Sequence, residues 1–476
     1  MARNGAGVVH LSIFHNDIEE FINSKKVNAD EKLRLKTLST AIIVPDKFME
    51  LLSDSSSRYY YTFNPKNVYD ITGIELDDMD MTEWYDKLVE NRSIKKTQRD
   101  KLRVVQEIVK SQKESGYSYI TFIDTMNREH NLSKIGKIEM SNLCQEISQL
   151  QTRSEFDNNL YSGKNNFGYD VQCVLSSLNL VNLFTGDISD EDKRNVIITS
   201  MKFLSNVSDI SNLESVPSVV NANKNLHSVG LGALGLNTLF VKYGIEYESE
   251  EAKDLTNLLF SYIRYYSLYG SMLISKERGK FKDFEKSDYA NGKALEKYIN
   301  GTIKLKPQTE KVKSIINRMN ILIPNERDWH SLSEDIMKYG LYNAYQLAVA
   351  PNQSSAYIME VSPSVAPVSS EVEFRDYGYL QTVYPMPLLT NENRYLYKSA
   401  YDINQKKMLD LVRVMQDHID QAISTVININ SDTTMKEHLG IIVYAWKIGI
   451  KTLYYWRTRK QSIMADKEPI CESCSV

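Results

Sequence analysis

Apolar positions recur along this chain in two spacings. Short alternating or continuously apolar runs predict strands, and apolar residues every three or four positions predict helices. Residues 5–14 set Val8, Leu11 and Ile13 among small and polar residues and read as a strand. It starts without a cap, turn or amphipathic lead-in, as if in the middle of a sheet. Leu38 to Val44 is an apolar strand closed by Pro45-Asp46. Tyr117 to Asp124 and Cys173 to Leu178 predict two more strands. Helical spacing covers 46–53, most of 78–116, 190–206, 250–278, 331–348 and 401–427. Ile441 to Ile450 and Thr452 to Tyr455 form an apolar end. Strands alternating with long helices predict an α/β architecture.

Composition narrows the class. The 476 residues suffice for one large domain or two to three ordinary ones. Apolar content is 42% and charged content 25%, ordinary for a globular protein. The net charge of -4, from 57 basic and 61 acidic residues, argues against a nucleic-acid partner. No apolar run approaches a membrane span, and the start has no signal-peptide apolar region, so the expected location is the cytoplasm, with no membrane partner. In that compartment the four cysteines, Cys144, Cys173, Cys471 and Cys474, are not expected to form structural disulfides.

The stretch Ser141-Asn142-Leu143-Cys144-Gln145-Glu146 concentrates chemistry. In an extended or looped backbone, positions i, i+2 and i+4 project the same way, so Asn142, Cys144 and Glu146 would face one ligand. The amide can hold a hydroxyl, the carboxylate can take its proton, and the thiol can do nucleophilic, redox or radical work. Taken alone, the stretch also fits a strand with a buried cysteine.

Other motifs have two readings each. Gly230-Leu231-Gly232-Ala233-Leu234-Gly235 matches G-x-G-x-x-G, but the fingerprint needs a strand before it, and 221–227 reads as a polar loop. A small-residue helix face packed closely on a neighbour is expected instead. Cys471 and Cys474 make a C-x-x-C in a polar tail after Arg459, either a tethered dithiol that exchanges with a disulfide elsewhere or an incidental pair. A tethered dithiol needs a disulfide to reduce, and Cys144 and Cys173 are the internal candidates. Tyr454-Tyr455 is either core aromatics or a stepping-stone for coupled electron and proton transfer. Pro351-Asn352-Gln353-Ser354-Ser355 is either a phosphate-cradling turn or a plain polar one.

Together these motifs, in this order, resemble the large, catalytic subunit of class I ribonucleotide reductase. The resemblance runs from about Arg3 to Val476 and includes Ala445 to Tyr455 and Cys173 to Asn179. Ala29-Asp30-Glu31-Lys32 and the region from Glu277-Arg278-Gly279 to Phe284-Glu285 look more like the Ib subgroup.

The resemblance implies a ten-stranded α/β barrel of two parallel half-barrels around a central finger loop. Residues 1–459 would form the catalytic barrel domain, short of its first strands, and 460–476 a mobile redox tail. The implied reaction reduces ribonucleoside diphosphates to 2'-deoxyribonucleoside diphosphates. Cys144 would become a thiyl radical and take the ribose 3' hydrogen. Glu146 would take the 3'-hydroxyl proton, and Asn142 would hold the ribose hydroxyls. Cys173 would be one of the cysteine pair that supplies two electrons. Ser354 and Ser355, with the amides of the turn of Pro351, Asn352 and Gln353, would bind the substrate diphosphate, and Ser141 would also contact substrate. Tyr454 and Tyr455 would carry the radical in. Cys471 and Cys474 would re-reduce the internal disulfide. Asp30, Lys32 and Arg34, in a charged loop, would relay a deoxynucleotide or ATP effector. No cofactor or metal is implied in this chain itself. The radical would come from a small subunit with an iron or manganese dimetal site and a tyrosyl radical. A thioredoxin- or glutaredoxin-like protein would reduce the tail, and large subunits would pair as a dimer.

The family also has an amino-terminal region with no counterpart here, which carries the partner cysteine of Cys173 and the opening strands. The expectation is therefore the carboxy-terminal part of a split large subunit, completed by an amino-terminal fragment. A fragment of a gene interrupted by an intron or intein is an alternative. A catalytically inactive paralogue acting as a binding or regulatory partner is another.

Overall fold

The computed structural model describes residues 5–26, 34–157, 165–211, 214–377 and 380–459. Twelve strands are formed among them. They are β1 (Gly7–Ser12), β2 (Leu38–Ile43), β3 (Tyr59–Phe63), β4 (Lys96–Asp100), β5 (Tyr119–Thr121), β6 (Leu175–Asn179), β7 (Gly230–Leu234), β8 (Val372–Tyr377), β9 (Leu380–Pro385), β10 (Ile427–Asn430), β11 (Thr452–Leu453) and β12 (Trp456–Arg459). The chain divides into two compact units. Among the described residues, no helix is long and apolar enough to cross a membrane.

The first unit takes the described residues of 1–126, 139–145 and 424–476. Its sheet runs β1-β2-β5-β11. β1, β2 and β5 are parallel, and β11 is antiparallel to β5. β2 is buried at four consecutive residues, as expected of a parallel strand covered on both faces. The helix Lys101–Ser115 begins where the Asp100 carboxylate accepts from the amides of Leu102 and Arg103. It ends at Gly116, whose left-handed φ of 81° closes the last turn. The helix Met435–Lys447 opens with a reciprocal capping box between Thr434 and Glu437. β3 and β4 form an antiparallel ladder, where helical spacing predicts helix over most of 78–116. The β4 segment Lys-Thr-Gln-Arg-Asp has no apolar alternation of its own, and its partner β3 supplies the pairing.

The second unit takes the described residues of 127–138 and 146–423. β6 and β7 are parallel, from Leu175 opposite Gly230 to Asn179 opposite Leu234. Parallel bridges at Leu231–Leu347 and Val349–Ile423 carry the pairing onward. The helices Asp190–Ile210 and Glu250–Arg278 pack on each other. Contact is close at Gly270, where a Cβ would lie 3.3 Å from Ile198 Cα and Met201 Cβ. Arg264 and Asp420 are both buried, and their charged atoms approach to 3.4 Å. The Asp420 carboxylate also accepts from the amides of Gln346 and Leu347, each at 2.8 Å, so its charge is met by two backbone donors as well as the guanidinium. β8 and β9 form an antiparallel hairpin.

Several expected elements change. Residues 230–234 are the strand β7, not a small-residue helix face. Close approach is the part of that reading the structure keeps. A Cβ on Gly230 would lie 2.9 Å from Ala348 Cβ, and one on Gly232 would lie 2.5 Å from the Ala348 carbonyl oxygen. The residues before them are not a polar loop but the helix Pro217–Leu226, with proline in its first turn. Gly230 and Gly232 lie within the strand and only Gly235, with φ 84°, follows it at the start of the helix Leu236–Lys242, so the dinucleotide arrangement is not formed. The helix predicted over 331–348 ends at Tyr339, because 341–349 joins the pairing beside β7. The one predicted over 401–427 is Gln405–Gln416, followed by β10.

Candidate active site

The stretch 141–146 belongs to both units, through Gln145 in the first and from Glu146 onward in the second.

In the first unit, residues 142–145 form a turn, not the extended strand that would line up alternate side chains. The Gln145 amide donates to the Asn142 carbonyl at 3.1 Å. Gln145 itself has φ 65°, in the left-handed region that non-glycine residues seldom occupy. Side chains from three other segments hold the turn. Ser424 Oγ donates to the Cys144 carbonyl at 2.5 Å. Thr452 Oγ1 donates to the Gln145 carbonyl at 2.9 Å, and Thr121 Oγ1 donates to Gln145 Oε1 at 2.8 Å. Thr121 is on β5 and Thr452 on β11, so the sheet that builds the unit also builds the support of the turn.

The Cys144 thiol is partly exposed and faces Tyr454. The Tyr454 hydroxyl lies 3.5 Å from Cys144 Sγ and donates to it. The Tyr455 ring stands 4.4 Å from the Tyr454 ring at 69°, an edge-to-face contact. Tyr119 packs on Tyr454 at 4.8 Å. Tyr454 is fully buried and Tyr455 is 7% exposed. Arg457 Nη2 donates to the Tyr455 hydroxyl at 2.8 Å, and the guanidinium lies 5.3 Å from that ring's centre. Thiol and both predicted tyrosines thus form one contiguous group. Asn142 is half-buried, and Ser141 is buried with its hydroxyl 3.4 Å from the Asn142 side-chain oxygen.

In the second unit, Glu146 is 2% exposed, and its carbonyl accepts from the Ala422 amide at 2.9 Å. Gln149 Nε2 donates to Gln421 Oε1 at 2.9 Å, which ties the chain after Glu146 to the 421–423 segment. Cys173 is a thiol at an exposed position just before β6. The Pro351 turn runs into the short helix Ser354–Ile358. Asn352 Nδ2 donates to Ser177 Oγ on β6 at 2.7 Å and to the Ala350 carbonyl at 3.1 Å. Ser354 and Ser355 are exposed at the start of that helix. β6 therefore connects the Cys173 segment with the Pro351 turn. Asp30, Lys32, Cys471 and Cys474 lie outside the described residues. Arg34 is described and exposed.

Sequence reasoning missed the residues that hold these groups: Ser424, Thr452, Thr121, Arg457 and Ser177. Each is a common polar residue in an ordinary local pattern, and only chain reversal brings it to the site.

Comparisons with known proteins give the family of the chain. The family model described as ribonucleotide reductase, barrel domain, matches residues 1–456. The ribonucleoside-diphosphate reductase subunit alpha of Bacillus subtilis is 36% identical over 475 residues, covering 100% of this chain and 65% of the relative. The subunit alpha of Mycoplasma genitalium is 36% identical over 483 residues, covering 100% of this chain and 66% of the relative. That of Treponema pallidum is 28% identical, with 99% and 54% covered. The chain belongs to the ribonucleotide reductase barrel-domain family. It spans just under two thirds of the length of the Bacillus and Mycoplasma relatives.

Proposed function

We propose that this chain provides the thiyl-radical site of a ribonucleoside-diphosphate reductase large subunit. The observation that carries the reading is the Tyr454 hydroxyl on Cys144 Sγ at 3.5 Å, with the Tyr455 ring behind it. A phenol in contact with a sulfur gives a short route for a hydrogen atom. The hydrogen of Cys144 Sγ passes to the oxidised Tyr454 oxygen and leaves a thiyl. The thiyl takes the ribose 3' hydrogen. Glu146 takes the 3'-hydroxyl proton, and Asn142 holds the ribose hydroxyls. A cysteine pair that includes Cys173 gives up two hydrogens and closes to a disulfide: one leaves with the 2'-hydroxyl as water, the other ends on C2', and Glu146 returns its proton to the 3' oxygen. Cys144, Cys471 and Cys474 each have another task, so the second thiol comes from a further segment of the large subunit, in this or a companion polypeptide. The 3' hydrogen then returns from Cys144, regenerating the thiyl.

Ser354 and Ser355, with the amides of the turn of Pro351, Asn352 and Gln353, hold the substrate diphosphate, supported by the Asn352–Ser177 bond to β6, and Ser141 also contacts substrate. Cys471 and Cys474 exchange with the internal disulfide and are reduced by a thioredoxin- or glutaredoxin-like protein. A partner small subunit with an iron or manganese site supplies the oxidising equivalent that reaches Tyr455. Asp30, Lys32 and Arg34 respond to a dNTP or ATP effector, and large subunits pair. The chain contributes strands to a ten-stranded barrel, with 141–146 as its finger loop.

The test is reduction of a nucleoside diphosphate by this chain with the small subunit, the remaining large-subunit segment and a dithiol. Deoxynucleotide formation that Cys144→Ser abolishes supports the reading. A stable assembly with no turnover, or turnover that survives Cys144→Ser, overturns it.

A further inference from the structure

Gln145 is fully buried, and its side-chain amide faces three groups at once. Oε1 accepts from Thr121 Oγ1 at 2.8 Å. Nε2 donates to the Asn142 carbonyl at 2.9 Å and lies 3.2 Å from His10 Nε2. The carbonyl of Asn142 can only accept, so the amide's orientation is determined. An amide nitrogen has two hydrogens. One goes to Asn142, and the other points at His10. His10 Nε2 therefore accepts with its lone pair, and the ring proton sits on Nδ1.

Nδ1 is buried and has no hydrogen-bond partner among the described residues. Burial lowers the His10 pKa from 6.5 to about 4, and a bond donated by Gln145 to the Nε2 lone pair favours the same neutral ring. The ring is thus neutral near pH 7. A phenylalanine here would fill similar space without an unmet donor. What the imidazole adds is an acceptor for Gln145 Nε2.

We propose that His10 and Gln145 are positioning residues that hold the Cys144 turn in its left-handed form, with His10 as a neutral Nδ1–H imidazole. Gln145 reaches the turn at two places, through its own backbone and through the Asn142 carbonyl. His10, on β1, and Thr121, on β5, anchor that amide to the sheet. The importance of the clamp rests on the reading of Cys144 as the reacting thiol, because a radical thiol must meet both its tyrosine and its substrate at set distances.

Two measurements on the full chain test this. Ring ¹⁵N spectra of the seven histidines, with His10 assigned through His10→Phe, report the tautomer. An unprotonated Nε2 and a protonated Nδ1 near pH 7 are expected, and Gln145→Glu, which offers only acceptors, is expected to move the proton to Nε2. Peptide-resolved iodoacetamide labelling then reports access to Cys144. His10→Phe is expected to speed its labelling about fivefold, the scale of one lost hydrogen bond. Cys173 labelling should stay unchanged, and His10→Asn, which retains an acceptor, should restore the slow rate. A protonated Nε2 in the unsubstituted chain overturns the proposal, as does unchanged Cys144 labelling in His10→Phe. Neither readout needs radical chemistry, so loss of the proposed enzymatic reading would leave the clamp standing, and the converse.

Discussion

Tyr454 and Cys144 are 310 positions apart in sequence, yet the phenol donates to the thiol at 3.5 Å. The contact is inside the first unit, on a sheet whose last strand, β11, leads directly into Tyr454. Tyr454→Phe keeps the ring and its packing and removes only the hydroxyl. The expected result is an unchanged melting temperature with nucleotide reduction lowered a hundredfold or more, the lower end of a lost proton-transfer group being about 10². Activity close to that of the unsubstituted chain would exclude the Tyr454 route.

Ser424→Ala removes the hydroxyl that donates to the Cys144 carbonyl at 2.5 Å. Ser424 is 7% exposed, so the carbonyl loses a donor in a poorly hydrated place. A loss of about 1–3 kcal/mol is expected in urea unfolding, with faster Cys144 alkylation. Thr452→Val removes a comparable bond to the Gln145 carbonyl and should act in the same direction.

Gly232→Ala tests the close packing beside β7. Its Cβ would lie 2.5 Å from the Ala348 carbonyl oxygen and 3.3 Å from Val349 Cα, and both neighbours are backbone. The strand pair must separate, at about 1–3 kcal/mol. A lowered melting temperature checks this, and an unchanged one would mean the backbone yields freely.

The buried histidines set an acid limit on stability. Burial lowers His438 from 6.5 to about 3, with Lys113 adding in the same direction, and lowers His10 to about 4. His438 stacks on Trp456 at 3.7 Å and shares a 2.8 Å contact with Gln112 Oε1. Below pH 6.5 the unfolded chain binds protons that the folded chain refuses, so stability is full above that pH and falls as pH drops toward 3. Each unit of depression is worth about 1.4 kcal/mol across the window. Urea midpoints measured through this range should fall with acid, and His438→Phe should flatten the fall. A flat profile in the unsubstituted chain would mean these rings are protonated when folded.

Much of the local structure was legible from residue order. Asp46–Ser53 and Glu250–Arg278 form where helical spacing predicts them, because each carries enough apolar surface at that period to define its own buried face. β2 was legible for the matching reason in a strand. The candidate groups were legible too, since a thiol, an amide and a carboxylate stood within six residues and the tyrosine pair sat in one apolar segment.

Tertiary structure decided the rest. β4 and β7 are strands because of their partners. A polar pentapeptide and a glycine-rich run carry no period of their own, and a ladder or a close backbone neighbour selects the extended form. The 142–145 segment is a turn rather than a strand, and Ser424, Thr452, Thr121 and His10 meet it from distant segments. Residue type and spacing determined which groups could react. Long-range hydrogen bonds determined which atoms face each other, because a hydrogen bond depends on position in space and leaves no mark on the order of residues.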